Sequence, residues 1–138
     1  MEKYIVERLA EIPESKKAII SFIHWDDYKA VLENPYDDYL PCIVSIQFRL
    51  LETTDKYAMT VNFNSRSIDA FQKCNGNMIA IYMLAKRIED ALKPRLKKPV
   101  KLELIDGMIT DAHIYEECYQ DAIKTVNKFR SNGFSRTK

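Results

Sequence analysis

The amino-acid sequence predicts an α+β fold, with a mainly antiparallel sheet and helices packed on one of its faces. Two strand-like runs, 42–52 and 56–65, are separated by three residues, the length of a hairpin loop. Apolar residues at helical spacing precede and follow this pair of strands. The length of 138 residues suits one compact domain with its own core. We therefore expect a single domain over 1–138.

A first helix is predicted over 2–12. Ile5, Leu9 and Ile12 recur at the spacing of one helical face. Pro13 is expected to end the helix, because proline lacks the backbone N–H that a helix interior needs. This helix should lie against the core.

A short apolar strand is predicted next, over 18–23, from its β-branched residues. The polar and aromatic connection to about Tyr39 has room for a short helix but lacks strong caps. The runs 42–52 and 56–65 then form an antiparallel pair.

The long central helix is predicted from a change of spacing that starts at Ser67. Gly76 is expected to mark a loop or bend before its main part, and Pro94 to end it. The predicted apolar stripe consists of Met78, Tyr82, Ala85, Ile88 and Leu92.

The C-terminal part predicts one more strand, over 100–105, with its valine and two leucines facing inward. Residues 111–115 are expected to lead into a last helix. The tail from about 131 is expected to be mobile. The apolar face of the last helix is predicted to hold Tyr115, Cys118 or Tyr119, Ala122, Val126 and Phe129.

Composition argues against several kinds of partner. The chain carries 21 Lys and Arg against 20 Asp and Glu, so we expect no surface for nucleic acid or an anionic membrane. Cys42, Cys74 and Cys118 lie far apart and form no zinc-binding pair, which favours reduced thiols inside the cell. No apolar run has the length of a membrane span. We therefore expect a cytoplasmic protein without a metal site.

Cys42 is the first candidate for a catalytic residue. It follows Pro41 where a turn becomes a β-branched strand, so its thiol should be rigidly held and still reachable. A free cysteine in an apolar strand is more often a small core residue. Cys42 is therefore a candidate nucleophile only if the rest of the chain supplies a pocket.

Five segments carry polar residues in a defined order along the chain. They are 13–21 with two lysines, 40–48 with Cys42, 65–69 with Arg-Ser-x-Asp, 77–82 opened by an asparagine, and 111–115 with His-x-Tyr. In order and approximate spacing they resemble the catalytic core of the thymidylate synthase family, which methylates deoxyuridylate at C5. The resemblance covers nearly the whole chain and implies a twofold homodimer formed through the open face of the sheet.

The resemblance implies that four residues bind the phosphate of a pyrimidine nucleotide. Lys16 and Lys17 stand where the family has two arginines that reach the nucleotide of the other subunit. They keep the charge and lose the planar bidentate fork. Arg66 and Ser67 match the family's phosphate-binding pair. Without the resemblance, the lysines are solvated surface groups and Arg66 is a surface arginine paired with Asp69.

The resemblance makes Cys42 the nucleophile that adds to C6 of the base. The thiolate is the reactive form of a cysteine, so a nearby cation is expected, and Arg66 is the candidate. Asp69 matches the family's catalytic aspartate beside the pyrimidine, and Gln47 matches its nucleotide-binding glutamine. Ile43 stands where the family has histidine, which removes a polar neighbour of the thiol.

Base and sugar are expected to be read by the last two segments. Asn77 falls where the family places the asparagine that pairs with uracil O4 and N3, and Asn75 is the competing choice. His113 and Tyr115 match the family's pair for the sugar 3′-hydroxyl. Taken alone, either asparagine is an ordinary helix cap, and His113 is a structural histidine.

Three functions are compatible with the resemblance. The first is one-carbon transfer to C5 of deoxyuridylate through a Cys42–C6 adduct, with methylenetetrahydrofolate as donor. The folate half of the family's site is expected to be largely missing. The second is a non-catalytic pyrimidine-nucleotide-binding protein that acts as a sensor, sequestering agent or regulator. The third is a scaffold homodimer with a decayed pocket.

Overall fold

The computed structural model describes residues 1–36 and 40–131. These residues form one four-stranded sheet in the order β1-β2-β3-β4. Helices precede, connect and follow the strands along the chain. The elements are α1 (Glu2–Glu11), β1 (Ile19–Ser21), α2 (Trp25–Glu33), β2 (Ile43–Glu52), β3 (Tyr57–Asp69), α3 (Cys74–Leu92), β4 (Val100–His113), a 3-10 turn (Glu116–Cys118) and α4 (Tyr119–Ser131).

The sheet is mixed. Strands β1, β2 and β3 pair antiparallel, as predicted, and 53–56 connect the hairpin. Strand β4 runs parallel to β3, which the sequence does not predict. The parallel direction follows from α3, because that helix carries the chain back to the start of β3 before β4 begins. The α+β class is confirmed.

The core lies between one face of the sheet and two helices, α1 and α3. Ile5 and Leu9 of α1 are fully buried, as are Ile88 and Leu92 of α3. They pack with inward side chains of the strands, among them Ile46, Phe48, Met59, Val61 and Phe63. Ile12, predicted to share the face of Ile5, caps the end of α1 and is 37% exposed.

The central helix begins later than predicted. Backbone pairing with β4 holds the chain extended as far as Asp69, so Ser67 lies on β3 and not in a helix. Gly76 lies inside α3 and marks no loop. Tyr82 is 51% exposed, whereas its neighbour Ile81 is buried on the core side.

Strand β4 extends well beyond the predicted 100–105 and ends at His113. Residues 111–113 therefore lie in the sheet, and only the 3-10 turn after them leads to α4. Leu104, predicted to face inward, is 51% exposed, because an irregularity pairs Met59 with Leu102 and Thr60 with Leu104.

The last helix packs less than its apolar pattern predicts. Cys118 and Ala122 are buried. Tyr119, Val126 and Phe129 are about half exposed on the same helix. The tail from 132 onward lies outside the described residues.

Helix α2 has a stronger start than predicted. The Asp27 carboxylate accepts a hydrogen bond from the backbone N–H of His24 at 2.7 Å, which stabilises the first turn. The helix contributes no buried residue to the core. The end of the predicted connection, at Tyr39, lies outside the described residues. No helix in the described ranges combines the length and the apolar character needed to cross a membrane.

Candidate functional site

Cys42 lies immediately before β2 and is half-buried. Its carbonyl oxygen accepts two hydrogen bonds from β3, from the Arg66 N–H at 2.9 Å and the Ser65 hydroxyl at 2.8 Å. Two bonds to one peptide group fix the backbone from which the thiol projects. The sequence prediction of a rigidly held cysteine at a strand start agrees with this geometry.

The Arg66 side chain also makes hydrogen bonds to the segment that precedes Cys42. Nε donates to Pro41 O at 3.1 Å, and Nη2 donates to Leu40 O at 2.6 Å. Nη1 donates to the Ser67 hydroxyl at 3.2 Å. All three nitrogens thus make hydrogen bonds within the chain, and two of them fix the peptide groups that precede Cys42.

The parallel pairing of β3 with β4 brings two of the predicted motifs together. Ser67 pairs with Asp111, and Asp69 pairs with His113. These pairs lie at the carboxyl ends of both strands, where open sheets of parallel strands commonly bind ligands. The 65–69 and 111–115 segments, far apart in sequence, therefore form one wall.

A polar cavity of about 530 Å³ lies against this wall. Its lining combines two cationic side chains, two carboxylates, a histidine, a tyrosine, a hydroxyl and the thiol. The lining residues are Leu40, Cys42, Arg66, Ser67, Asp69, Lys73, Asp111, His113 and Tyr115. Six of the ten residues predicted for the site are among them.

Two buried atoms of this cavity's residues lack hydrogen-bond partners. Asp69 is 2% exposed, and its Oδ1 accepts hydrogen bonds from the N–H groups of Phe71 at 3.0 Å and Gln72 at 3.2 Å. Its Oδ2 has no partner among the described residues, and neither has His113 Nδ1. Buried polar atoms are nearly always bonded, so these two atoms are suited to a water or a ligand.

Aromatic and cationic side chains of the polar cavity's lining contact one another. The rings of His113 and Tyr115 meet edge-on with centroids 5.1 Å apart. The Lys73 Nζ lies 5.3 Å from the centroid of the Tyr115 ring, within the range of a cation–π interaction. Tyr115 therefore contacts both the imidazole of His113 and the ammonium of Lys73.

A second, largely apolar cavity of about 410 Å³ adjoins the first. Asn77 supplies its side-chain amide, and Cys42 and Lys73 line both cavities. The other lining residues are Phe22, Pro41, Ile43, Ile46, Ala80, Ile81 and Leu84. A ligand with a flat ring and a polar tail fits such a pair of cavities, because each part finds the surroundings it needs.

Three predicted residues lie away from both cavities. Lys16 and Lys17 are exposed, before β1. Gln47 lies on the open face of the sheet, where its Nε2 donates to Lys16 O at 2.8 Å. Asn75, the competitor of Asn77, is exposed and lines neither cavity. Within this chain, the prediction for the two lysines and Gln47 has no support from either cavity.

The sequence interpretation missed Lys73. A partial signal for it exists, because Lys73 stands four residues before Asn77, and positions four apart share a helix face. The apolar residues that line the second cavity have the sequence pattern of core residues. That pattern does not distinguish them as part of a site.

The other two cysteines differ from Cys42 in setting. Cys118 is 5% exposed, and burial, followed by the carboxylates of Glu117, Asp69 and Asp121, raises the pKa of its thiol. This is the setting of an inert core thiol. Cys74 is half-buried at the start of α3 and lines neither cavity. The described residues contain no group of three His, Cys, Asp or Glu side chains that could hold a metal ion.

Comparison with protein families gives one match. The family model described as thymidylate synthase matches residues 2–134, which is nearly the whole chain. Comparison with curated proteins gives no match.

Proposed function

Because the chain belongs to the thymidylate synthase family, we propose that it binds deoxyuridylate, a pyrimidine nucleoside monophosphate, and transfers a one-carbon unit to C5 of the base. Cys42 is the nucleophile in this proposal and forms a covalent bond to C6. Whether the transferred unit ends as methyl or hydroxymethyl depends on the donor chemistry.

The position of Cys42 supports this proposal most directly. Cys42 lines both the polar and the apolar cavity. A nucleotide with its base in the apolar cavity and its sugar phosphate in the polar one passes directly by this thiol. A cysteine that served only as a core residue has no need of such a position.

Four residues of the polar cavity bind the sugar phosphate in this proposal. Arg66 and Ser67, already hydrogen-bonded to each other at 3.2 Å, supply charge and a hydroxyl for the phosphate. His113 and Tyr115 bind the sugar 3′-hydroxyl. Among the described residues His113 Nδ1 makes no hydrogen bond, and the Asp111 carboxylate lies 3.7 Å from it, which suits Nδ1 to that role.

Asn77 reads the base. It lines the apolar cavity next to Cys42, whereas Asn75 is exposed outside it, which supports Asn77 over its competitor. A carboxamide donates to uracil O4 and accepts from uracil N3–H, and cytosine offers neither group in that arrangement.

The chemistry proposed for the thiol follows from the electronic structure of uracil. As the Cys42 sulfur bonds to C6, the C5–C6 π pair moves toward C5 and the C4 carbonyl, so C5 becomes nucleophilic. The buried, unpartnered Oδ2 of Asp69 is placed to accept a hydrogen bond from the nucleotide or from a water in the cavity. We assign Asp69 as the second catalytic residue.

Methylenetetrahydrofolate is the family's usual one-carbon donor, and we propose it here. The apolar side chains of Phe22, Ile81 and Leu84 beside Cys42 would pack against a folate ring. When bound, this donor supplies the one-carbon unit that C5 attacks.

We propose a twofold homodimer for the active protein, as in the family. Lys16 and Lys17 lie away from the cavities of their own chain, so their proposed phosphate contact is with the nucleotide of the other subunit. Gln47 binds the backbone of Lys16 and thereby positions this loop, through which it serves the nucleotide site. Gln47 lies on the open face of the sheet, and Lys16 and Lys17 lie in the loop before β1.

We place the protein in the cytoplasm. Cys42, Cys74 and Cys118 are all free thiols. Free thiols persist in a reducing compartment, and the proposed reaction consumes one of them at each turnover and regenerates it.

Release of tritium tests the proposed reaction. Deoxyuridylate labelled with tritium at C5 is incubated with the protein, with and without methylenetetrahydrofolate. We expect folate-dependent release of tritium to water from the wild type, none from Cys42→Ser, and normal release from Cys74→Ser. Release that survives Cys42→Ser would refute the role of Cys42, and no release from any form would refute the transfer.

A non-catalytic nucleotide-binding protein is the second candidate. Ile43 favours it, because an apolar side chain lines the cavity next to the thiol where the family has histidine. This candidate predicts selective binding of a pyrimidine monophosphate by calorimetry in the wild type and in Cys42→Ser alike, without tritium release. Absence of binding to any pyrimidine nucleotide would exclude both candidates and leave a scaffold with a decayed pocket.

A further inference from the structure

Lys73 and Cys42 occupy a position that no other described lining residue shares. These two residues alone, among the lining residues of the two described cavities, belong to both. A ligand that spans the two cavities therefore has Cys42 and Lys73 in the lining of both parts of its site.

Both backbone polar groups of Lys73, its N–H and its carbonyl, make hydrogen bonds. Its N–H donates to Asp69 O at 3.2 Å, and its carbonyl accepts from the Asn77 N–H at 3.0 Å. It thus stands one turn from the carboxylate and one turn from the carboxamide assigned to the base. Only its flexible side chain has freedom to follow a ligand.

The ammonium of Lys73 is available to a ligand. In the described part of the chain its contact is with the Tyr115 ring, and no carboxylate pairs with it. The three guanidinium nitrogens of Arg66, by contrast, already donate to Leu40, Pro41 and Ser67. Lys73 can therefore offer new hydrogen bonds to negative charge at the junction, whereas Arg66 already uses three of its five N–H groups on two carbonyl groups and the Ser67 hydroxyl.

We propose that Lys73 is a further catalytic residue of this site, acting on the anion that the attack of Cys42 creates. The inference rests on the proposed function. When the sulfur bonds to C6, the thiol proton leaves to solvent and the C5–C6 π pair moves onto C5 and O4 as an enolate. The Lys73 ammonium donates a hydrogen bond to this enolate and holds it until C5 reacts.

A 5-nitro analogue of deoxyuridylate tests Lys73 without any one-carbon donor. Its nitro group stores the displaced electron pair, so addition of Cys42 at C6 gives a stable anionic adduct, measurable by absorbance and by intact mass. We expect Lys73→Met to weaken this adduct by about tenfold or more, the usual effect of losing a hydrogen bond to a charged group. Lys73→Arg keeps the charge and should give an intermediate value.

Binding of unmodified deoxyuridylate provides the second measurement, because it involves no anionic ring. Calorimetry should give Lys73→Met an affinity within about threefold of the wild type, which also shows that the variant is folded. Lys97→Met, which removes an exposed positive charge outside both cavities, should leave both measurements unchanged.

The remaining outcomes overturn the inference in distinguishable ways. A wild type that forms no Cys42 adduct refutes the nucleophile and, with it, the role of Lys73. Normal adduct formation in Lys73→Met refutes Lys73 alone. An equal loss of adduct and of deoxyuridylate affinity makes Lys73 a binding residue and contradicts its action on the anion.

Discussion

Two cations line the polar cavity, and their hydrogen bonds distinguish their roles. Arg66 uses its planar fork on two carbonyl groups and a hydroxyl, so it fixes the segment that carries Cys42 as well as adding positive charge. Lys73 has a flexible stem and a ring contact, so its ammonium can move to a ligand. A lysine in place of Arg66 would keep the charge and lose the paired hydrogen bonds to the carbonyl groups of Pro41 and Leu40.

Selection between uracil and cytosine is decided by one carboxamide in this account. Asn77→Asp should lower the affinity for deoxyuridylate and raise that for deoxycytidylate, because a protonated carboxyl can donate to N3 of cytosine and accept from its amino group. We expect the ratio of the two affinities, measured by calorimetry, to change by at least about tenfold. Asn75→Asp is the matched control and should leave the ratio unchanged, whereas an equal change in both variants would contradict the assignment.

At the scale of elements, the parallel pair β3–β4 builds the site. It places Ser67 and Asp69 beside Asp111 and His113 at one end of the sheet. Helix α3 then starts at Cys74, directly after that end, and brings Asn77 to the apolar cavity. Changes that disturb this pair should therefore affect stability and nucleotide binding together.

Gly107 of β4 lies close against Phe63 of β3. A Cβ added there would lie 2.4 Å from the Phe63 carbonyl oxygen and 2.5 Å from its ring. Since backbone must move to make room, we expect Gly107→Ala to lower the free energy of unfolding by about 2 kcal/mol, measured by urea denaturation.

Gly76→Ala is the matched control for Gly107→Ala. A Cβ at this position in α3 meets nothing within 4 Å. Alanine favours a helix interior over glycine, so this variant should gain about 0.5 to 1 kcal/mol. A loss of similar size in both variants would contradict the close contact between β3 and β4.

Glu89 joins α3 to β4 from inside the core. It is 4% exposed, it accepts a hydrogen bond from the Leu102 N–H at 2.8 Å, and it pairs with Lys86 and with Lys93 at 3.0 Å. Burial alone would raise the pKa of Glu89, but these three partners outweigh it and lower the pKa from 4.5 to about 2. Its ionised form therefore stabilises the fold.

The lowered pKa of Glu89 gives a pH dependence with a defined sign. The contribution of ionised Glu89 to the free energy of unfolding is fully present above the unfolded pKa of 4.5. It is lost as pH falls through the folded pKa of about 2. Glu89→Gln should cost about 2 kcal/mol at pH 7 and show a weaker fall of stability between these two pH values, measured by thermal unfolding. Asp90→Asn removes the exposed partner of the same Lys93 and should change stability by less than about 1 kcal/mol. Equal effects of both substitutions would contradict the buried link.

For the whole molecule, the open face of the sheet is the proposed dimer interface. Leu51 and Met108 on this face are 67% and 61% exposed. We expect the wild type to sediment as a dimer. The double variant Leu51→Lys, Met108→Lys should sediment as a monomer, because dimerisation would have to bury two added charges from each copy in the interface. Leu32→Lys, on α2 away from the sheet, should leave the dimer intact. A monomeric wild type at high concentration would contradict the interface.

Local patterns predicted the elements that local chemistry determines. The hairpin of β2 and β3 follows from two β-branched runs and a short loop, and α1 ends two residues before Pro13. The parallel direction of β4 has no local signal, because it depends on how α3 returns the chain. The strand ends were missed for a similar reason, since pairing between β3 and β4 continues after the apolar alternation stops.

Part of the candidate site was predicted from motif resemblance and part was not. Cys42, Arg66 and His113 do meet in one cavity, as the order of the motifs implies. Lys73 was missed because the family pattern has no lysine at that position. Its spacing from Asn77 is a weak sequence signal, and its place in the lining of both cavities is the stronger one. Lys16 and Lys17 are proposed to contact the nucleotide of the other subunit. That contact depends on how the dimer is arranged, which a single sequence does not describe.

A structure of the protein with deoxyuridylate bound would show whether the two cavities form one nucleotide site around Cys42. We predict the uracil in the apolar cavity with its O4 and N3 on Asn77, the sugar on His113 and Tyr115, and C6 facing the Cys42 sulfur. A nucleotide bound elsewhere, or one whose base lies away from Cys42 with the thiol turned into the core, would contradict the claim that the two cavities form one nucleotide site around this cysteine.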